Sequence, residues 1–537
     1  MTGKLLAAIA AAALAAAGGA QDRPSEDELF GAPARPAPAP ERKAPPAPAP
    51  QGGTSSPHAD TEAQLFGSQS SPAGPAVPPG ALIPRDREDW LEMGGLLQLQ
   101  AQATAYDETA PADWPFVSPN LLDAYLDTRP NDRVRGFVLG RMSWDPTVQS
   151  SPGTRPAGGQ ASSGGGSSAV GLGTVPTTAN PGAVLDQLWL NFDVGHRVFV
   201  TAGRQHVKWG VGKVWNPTDY LHPVPRNPLA TFDTRTGTTL VKVHLPWEKR
   251  GWNLYGVVLL EDLAGDTSQT DSRLARIGGG GRAEVVLGSA ELGLDAMAQQ
   301  GHRPRYGVDL SAGIGDFDVY SEVALRTGGD APHWIRGDTG PVPPGLPASL
   351  TGWVPEASTQ LTPQVVAGAS WAFKYSDEDS LALGAEYFYN DLGYADPSVY
   401  PFLLTGAPLF TTDNGQVTGV HQQDPTAYRP FYLGKHYAAL NLSLPRPGRW
   451  NDTTIIVSWI GNLSDHSSVA RLDVSVLALT YLTVETFVAG HFGQKGGEFR
   501  LALPADLAPF AASATGSASF PTGAPVVDLG VALRVSL

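Results

Sequence analysis

A segment rich in aromatic and charged side chains, GRQHVKWGVGKVWNPTDYLHP, runs from Gly203 to Pro223. The residues before it alternate as in a β-strand, whereas Gly, Pro, Asn and Asp become frequent after Trp209. A loop of this composition, stiffened by prolines, could narrow a pore and select solutes, or it could pack over the mouth of a barrel. In the first interpretation residues 210–236 form the constriction. The side chains predicted to contribute, including those at the end of the strand, are Arg204, His206, Lys208, Lys213, Trp215, Asp219, Tyr220, Arg226, Asp233 and Arg235.

Patterns typical of enzymes are weak in this chain. The run Gly278–Gly281 lacks the lysine and the helix of a phosphate-binding loop. Asp262, Asp266 and Asp271 share a loop but lack the Gly and terminal Glu spacing of a calcium-binding hand. The histidines are scattered and accompany no nucleophile motif. We therefore predict no catalytic residue, no metal site and no cofactor.

Composition restricts the class of protein. The chain has 537 residues, 62 Gly, 48 Pro and no Cys, and its formal net charge is −15. It is too long for one ordinary soluble domain and too rich in glycine for a helical one. Without cysteine it has neither disulfides nor thiolate zinc sites, and the absence of cysteine fits an envelope protein that does without disulfides. We expect no nucleic-acid partner.

The first twenty residues resemble a secretory signal. Lys4 precedes an apolar run from Leu5 to Ala17, and small residues lead to a cleavage point near Ala20. A membrane anchor is the alternative, but the apolar run is shorter than the roughly 20 residues that span a bilayer. Residues 1–20 are therefore predicted to be a signal peptide.

Residues 21–88 are dominated by Pro, Ala, Ser and Gly, as in APARPAPAPERKAPPAPAP at 32–50. Such a segment cannot bury enough apolar surface to fold, and it favours extended polyproline II. Two islands each place Leu-Phe-Gly after an acidic residue. They are twin docking motifs for a periplasmic protein, which would gain avidity from the repetition, or they reflect chance in a low-complexity tail. The residues of the two motifs are Leu29, Phe30, Gly31, Leu65, Phe66 and Gly67.

Residues 89–537 alternate between apolar and polar side chains in segments of about ten residues, from LLQLQAQATAY near the start to VDLGVALRVSL at the end. Alternation of this length behind a signal peptide is typical of an outer-membrane barrel, although a secreted sandwich would also alternate. We predict an all-β fold: an antiparallel up-and-down transmembrane β-barrel of about eighteen strands, with sixteen as the alternative. A further segment, Gly497–Leu503, would make the number odd, and we assign it to a hairpin in the last loop.

The predicted connections distinguish a barrel from a sandwich. Tight turns follow even-numbered strands, and nearly all long excursions follow odd-numbered ones. With an even strand count, the start of the first strand and the end of the last strand both lie on the short-turn, periplasmic rim. The expected location is the outer membrane of a Gram-negative cell, with lipid around the barrel and the Pro-rich tail in the periplasm. The sequence does not indicate an oligomeric state.

Charged residues fall on one face of the predicted strands. Because a charge facing lipid at the midplane costs about 2 to 4 kcal/mol, this face should line the lumen. Cations exceed anions in the first third of the barrel, which favours entry of anions. The predicted lining residues are Arg133, Arg135, Arg141, Asp123, Asp127, Asp193, Glu322, Arg326 and Glu386.

The segment at Gly203 also resembles a known family. The chain resembles large outer-membrane porin-like barrels related to alginate-export and capsule-surface proteins. The resemblance rests on Gly203-Arg204-Gln205, Trp209-Gly210 and Asn216-Pro217-Thr218-Asp219. It rests also on two runs, 121–142 and 185–205, that each consist of a strand, a tight turn, a second strand and Gly-Arg. The resemblance implies a barrel of eighteen or a similar number of strands that conducts, or binds at its mouth, an anionic polysaccharide or small organic solutes. The chain departs from that pattern in ending on Leu537 instead of an aromatic residue, and in its Pro-rich tail.

Two functions are consistent with these patterns. The first is a porin or exporter-type channel whose loop 210–236 is the constriction. The second is a barrel that anchors an envelope complex, with the periplasmic tail docking a partner protein. The polar lumen face favours the channel.

Overall fold

The computed structural model describes residues 90–147, 180–222, 225–230, 233–261, 277–338, 346–356, 360–376, 379–413, 416–424, 427–502, 507 and 523–536. The predicted signal peptide, the Pro-rich tail with both Leu-Phe-Gly motifs, and the acidic loop at 262–271 lie outside the described residues.

Eighteen strands form one closed antiparallel barrel. Each strand pairs with its neighbours in the chain, and the last strand pairs with the first, from Leu96 opposite Ser536 to Tyr106 opposite Pro525. The strands, β1 to β18 in chain order, are Leu91–Tyr106, Asn120–Asn131, Val134–Trp144, Gly182–Val194, Val198–Gln205, Thr238–Trp247, Trp252–Leu259, Gly278–Leu287, Ala290–Ala298, Arg305–Ile314, Phe317–Thr327, Leu361–Lys374, Ser380–Asn390, His436–Pro445, Thr453–Asn462, Ser467–Leu479, Leu482–Gly493 and Pro525–Ser536.

The predicted eighteen-stranded barrel is confirmed, and so is the layout of its rims. Turns after even-numbered strands are short, as at 195–197, 288–289 and 480–481. Most connections after odd-numbered strands are long, as at 206–237 and 391–435. The assignment of Gly497–Leu503 to a hairpin is wrong: Glu498–Arg500 is a single 3₁₀ turn. The amide of Glu498 donates to the Asp465 carboxylate, so this backbone is held by a side chain and not by a strand.

The outer face of the barrel is apolar. Leu122, Leu126, Leu188 and Leu190 are exposed there, and the intervening Asp123 and Asp127 are buried on the other face. This alternation is what a strand between lipid and lumen requires. Exposed aromatic residues form a girdle near each rim, as in other transmembrane barrels. The first girdle includes Trp247, Phe317, Tyr375, Trp450 and Tyr481, and the second includes Phe116, Trp144, Tyr306, Tyr387 and Phe492.

The hydrophobic core lies inside the barrel, where long loops fold inward. One cluster joins the wall residues Phe388 and Tyr437 to Trp215 and Phe499 from two different loops. A second cluster surrounds the short helix α1, Tyr400–Leu404, in the loop between β13 and β14. Two hairpins belong to these long loops: His333–Arg336 with Trp353–Glu356, and Pro408–Asp413 with Gln416–Gln422. No helix in the described part of the chain is long and apolar enough to cross a membrane.

Candidate functional site

The loop after β5, residues 206–237, crosses the interior of the barrel. We refer to it as the crossing loop. It leaves the wall at Gln205, and its backbone bonds to Glu322 on β11 and to Glu386 on β13. In an eighteen-stranded wall β13 is eight strands away from β5, so it lies nearly opposite. The loop therefore extends from one side of the bore to the other.

Glu322 binds the first part of the crossing loop. Its Oε2 accepts hydrogen bonds from the amides of Val211, at 3.0 Å, and Gly212, at 2.9 Å. Its Oε1 accepts from the amide of Thr218, at 2.6 Å. The side chain is fully buried, so these amides supply the hydrogen bonds that water would otherwise provide. Gly210 has a positive φ of 82°, and a Cβ there would collide with the Glu322 carboxylate.

Glu386 binds the tip of the crossing loop. Its carboxylate accepts from the amides of Lys213, at 2.9 Å, and Trp215, at 2.7 Å, as well as from the amide of Val214. The hydroxyl of Tyr320 donates to the same carboxylate at 2.8 Å. Two carboxylates from separate strands thus accept every backbone N–H from residue 211 to 215, together with that of residue 218.

Trp215 fixes the loop tip in the wall. Its side chain is completely buried. The indole stacks on Phe388 with ring centroids 5.5 Å apart, and its Nε1 donates to the carbonyl of Phe431 at 3.0 Å. The Lys213 ammonium donates to Ser370 at 2.8 Å and lies 5.1 Å from the ring centroid of Tyr320. The tip therefore combines apolar packing with directed hydrogen bonds.

The returning half of the crossing loop carries a buried charge network. Arg235 donates to Asp219 at 3.0 Å and to Asp233 at 2.7 Å. Burial would lower the pKa of Arg235, but these two carboxylates raise it above its usual value. Burial would likewise raise the pKa of Asp233, whereas Arg235 holds it well below the ordinary range. Arg235 likewise lowers the pKa of Asp219, together with His222, so the three side chains stabilise one another's charged forms.

The wall beneath this network contains a matching set of charges. Arg141 on β3 donates to both carboxylate oxygens of Asp123, at 2.9 Å each, and lies 3.2 Å from Asp186 on β4. The third guanidinium nitrogen of Arg141, Nη1, donates to the carbonyl of Thr234 at 2.9 Å, which ties the loop to the wall. Asp186 was missed in the sequence because a bulge between β3 and β4 turns it inward, next to Gln187. Strict alternation would have pointed it at lipid.

The remaining predicted lining residues are spread along the wall. Arg135 pairs with Asp127 at 2.8 Å, whereas Arg133, at the short-turn rim, lies 3.9 Å from Asp193. Towards the other rim Arg326 lies 4.0 Å from Asp330. In the crossing loop, Tyr220 is buried and donates to the carbonyl of Tyr306 at 2.7 Å, and Arg226 is half-buried.

Two predicted constriction residues are placed elsewhere. Arg204 pairs in register with Leu188, which is exposed to lipid, so Arg204 lies on the outer face near the rim. There its Nε donates to the carbonyl of Gly237 at 2.8 Å, and it lies 3.8 Å from Glu261. Side chains of β5 alternate between the two faces of the wall, so Arg204 shares the outer face with Val200 and Ala202. Lys208 is exposed beyond the end of the strand.

The charges in the first third of the barrel are more balanced than the sequence indicates. Arg135, Arg141 and Arg235 are each paired with carboxylates, and Asp186 adds an acid to the set. Within the described ranges no group of three or more His, Asp or Glu side chains is placed to hold a metal ion. The paired charges of the wall and the crossing loop can narrow and polarise a passage through the barrel.

The chain has the architecture of a porin-like β-barrel. No family model matches it, and no curated protein matches it. Solved structures with a similar fold include OccK5 (OpdH) of Pseudomonas aeruginosa, with 10% identity, a TM-score of 0.42, and coverage of 83% of this chain and 98% of the other. OprB of Pseudomonas putida has 10% identity and a TM-score of 0.41, and the match covers 83% of this chain and 94% of the other. A triple mutant of Rhodopseudomonas blastica porin has 10% identity and a TM-score of 0.36, with coverage of 83% of this chain and 100% of the other. The relation to alginate-export and capsule-surface barrels stays a prediction.

Proposed function

We propose that this protein is an outer-membrane porin that passes small organic solutes through a bore narrowed by the crossing loop. The observation that carries the proposal is the attachment of that loop to Glu322 and Glu386 on the far wall. A loop held on both sides of a bore restricts it at a fixed place, and the side chains that it presents then select what passes. The apolar outer face and its two aromatic girdles support the membrane location.

We further propose a preference for small anions. Arg305 and Arg326 lie within reach of the same carboxylate, Asp330, which Arg305 contacts closely and Arg326 only at 4.0 Å. Two guanidinium groups around one carboxylate leave a local positive potential, which attracts anionic solutes. The loops packed inside the barrel leave less room for a polysaccharide than for a small molecule, so we favour organic anions over polymers.

Single-channel conductance of the purified protein in a planar bilayer tests the proposal. We compare the wild type with a deletion of Lys213–Arg226, in salts of large anions and of large cations. A porin with its constriction in this loop should conduct steadily, with a higher conductance after the deletion. A deletion variant that folds and conducts like the wild type would place the constriction elsewhere. A reversal potential that indicates cation preference would overturn the proposed anion selectivity.

The anchor function is a second candidate, supported by the amount of loop packed inside the barrel. Clusters of fully buried side chains, such as Tyr400 with Leu403 and Trp215 with Tyr437, fill part of the interior. A barrel filled in this way could serve to hold its periplasmic tail at the membrane. In that case the Phe30→Ala/Phe66→Ala double variant should lose a partner that the wild type retains in a pull-down. Equal recovery by both proteins would count against it.

A further inference from the structure

Two histidines connect the wall to the crossing loop in a continuous string. Nε2 of His206 lies 2.9 Å from Asp186 on β4. Nδ1 of the same ring lies 3.3 Å from Nε2 of His222, in hydrogen-bonding geometry. Nδ1 of His222 lies 2.9 Å from Asp219. The string therefore has a carboxylate at each end, two imidazoles between them, and three short gaps.

The number of protons in this string follows from its geometry. Each of the three gaps needs one hydrogen, because two facing acceptors without a proton repel each other. Two neutral imidazoles carry only two ring hydrogens in total. If both were neutral and each bonded to its carboxylate, two bare nitrogens would face each other across 3.3 Å. The string is complete only with a third proton.

Neither carboxylate is a good place for that proton. Asp186 also lies 3.2 Å from the Arg141 guanidinium and accepts from the amide of Gly237 at 3.0 Å, contacts that favour its ionised form. Burial would raise the pKa of Asp219, but His222 and Arg235 hold it below its usual value. The third proton must therefore reside on an imidazole.

The environments of the two rings differ. His222 is buried, and burial lowers its pKa, although Asp219 opposes the effect. The side chain of His206 remains about one-fifth exposed, with 21% of its area accessible. A positive charge costs less on the partly solvated ring.

We propose that this string holds three hydrogens, one more than two neutral rings carry, and that the additional proton on His206 bridges the wall at Asp186 to the crossing loop at His222. His206 donates from both ring nitrogens, and His222 accepts at Nε2 while donating from Nδ1 to Asp219. The site is thus a proton-binding site built into the base of the loop. Loss of this proton should also change the conductance of the barrel, an expectation that rests on the proposed porin function. The assignment of the proton itself does not depend on that function.

The charged groups that face the pair come from two elements of the wall and from the loop itself. Asp186 and Arg141 approach from β4 and β3, with Asp123 behind Arg141. Asp219 and Arg235 approach from the loop, with Asp233 behind Arg235. Among these six groups, four carboxylates face two arginines, and this excess of negative charge favours an additional proton on the pair.

Either gain or loss of a proton breaks the bridge. Loss of the His206 proton leaves two bare nitrogens opposed. Gain of a fourth proton makes both rings donors, so two N–H groups face each other. The base of the crossing loop should therefore be held most firmly in an intermediate pH range and should loosen on both sides of it.

Nuclear magnetic resonance of the full-length protein in detergent micelles, with ¹⁵N-labelled histidine, tests the assignment directly. Signals are assigned by their loss in His206→Asn and His222→Asn variants. In a titration from pH 5 to pH 8 we expect a range in which both ring nitrogens of His206 show protonated shifts while His222 is neutral with its hydrogen on Nδ1. If His206 never shows two protonated nitrogens beside a neutral His222, the proposal is overturned, whether or not the protein conducts.

Bilayer conductance as a function of pH provides the second readout. The wild type should show a shift in conductance with pH when the string loses its third hydrogen, and His206→Asn should lose that shift. His196→Asn is the matched control, because His196 lies in the exposed turn between β4 and β5, with 63% of its side chain accessible. A pH response retained in a folded His206→Asn protein would contradict the role of the bridge. A silent wild type that nevertheless shows the His206 imidazolium signals would contradict only the porin function.

Discussion

At the scale of single residues, the crossing loop depends on two carboxylates that face consecutive amides. Glu386 accepts from three neighbouring amides and from the hydroxyl of Tyr320, so both of its oxygens must be acceptors. A glutamine at this position would have the same shape, but it has only one acceptor oxygen and presents an NH₂ group to the amides. A buried donor left without an acceptor costs about 1 to 3 kcal/mol.

Glu386→Gln should therefore release the loop tip while leaving the wall folded. We expect a larger and noisier single-channel conductance, and faster proteolytic cleavage between residues 211 and 218, than in the wild type. Glu356→Gln is the matched control, because Glu356 lies in an exposed hairpin with half of its side chain accessible. If Glu386→Gln has the conductance and cleavage rate of the wild type, this carboxylate does not hold the loop.

At the scale of elements, the path of the crossing loop requires one backbone conformation at its start. Gly210 has a φ of 82°, and a Cβ there would overlap the side chains of Asn216, Thr218 and Glu322. Gly195, in the short turn between β4 and β5, has a similar φ of 62° but no atom within 4 Å of where its Cβ would be. The two glycines share the backbone requirement and differ only in their surroundings.

Gly210→Ala should therefore be far more disruptive than Gly195→Ala. The Gly195 variant incurs only the backbone cost of an L residue in the left-handed region, about 1 to 2 kcal/mol. The Gly210 variant must also displace the loop from Glu322, which leaves the amides of Val211 and Gly212 without their acceptor. Thermal unfolding monitored by circular dichroism, together with conductance, measures the difference. Equal loss of stability in the two variants, with unchanged conductance in both, would show that the close approach at Gly210 is unimportant.

The elements could be predicted from the sequence, whereas the partners of the crossing loop could not. Alternation identified all eighteen strands, because lipid on one side and polar lumen on the other impose a period of two. No local pattern shows that the amide of Trp215 bonds to a carboxylate 171 residues away. Asp186 was missed because a bulge reverses its direction, and Arg204 was misplaced because its charge was given more weight than the register of β5.

At the scale of the whole molecule, the loop between β17 and β18 carries a buried acid, Glu498, that bonds to the barrel wall. The loop leads into β18, the strand that closes the barrel by pairing with β1. The Glu498 carboxylate accepts from the hydroxyl of Tyr437 at 2.6 Å and from Asn462 at 2.8 Å, and it also binds the amide of Phe431. Burial raises the pKa of Glu498 from 4.5 to about 8, and the nearby Asp465 contributes in the same direction. In the folded protein this acid therefore retains its proton over a range in which an unfolded chain would lose it.

This difference gives the stability of the closed barrel a defined dependence on pH. Between pH 4.5 and about 8 the folded state binds more protons at Glu498 than the unfolded state, so this group lowers the unfolding free energy as pH rises through that range. Glu498→Gln, which resembles the protonated acid, should remove this part of the dependence. Thermal unfolding at pH 5 and at pH 8 tests it in both proteins: the fall in midpoint between these values should be smaller in the variant. Equal falls would show that Glu498 is ionised in the folded barrel, with Tyr437 and Asn462 as sufficient donors. The contact of this loop with Tyr437 on β14 would then stabilise the closed barrel equally at both pH values.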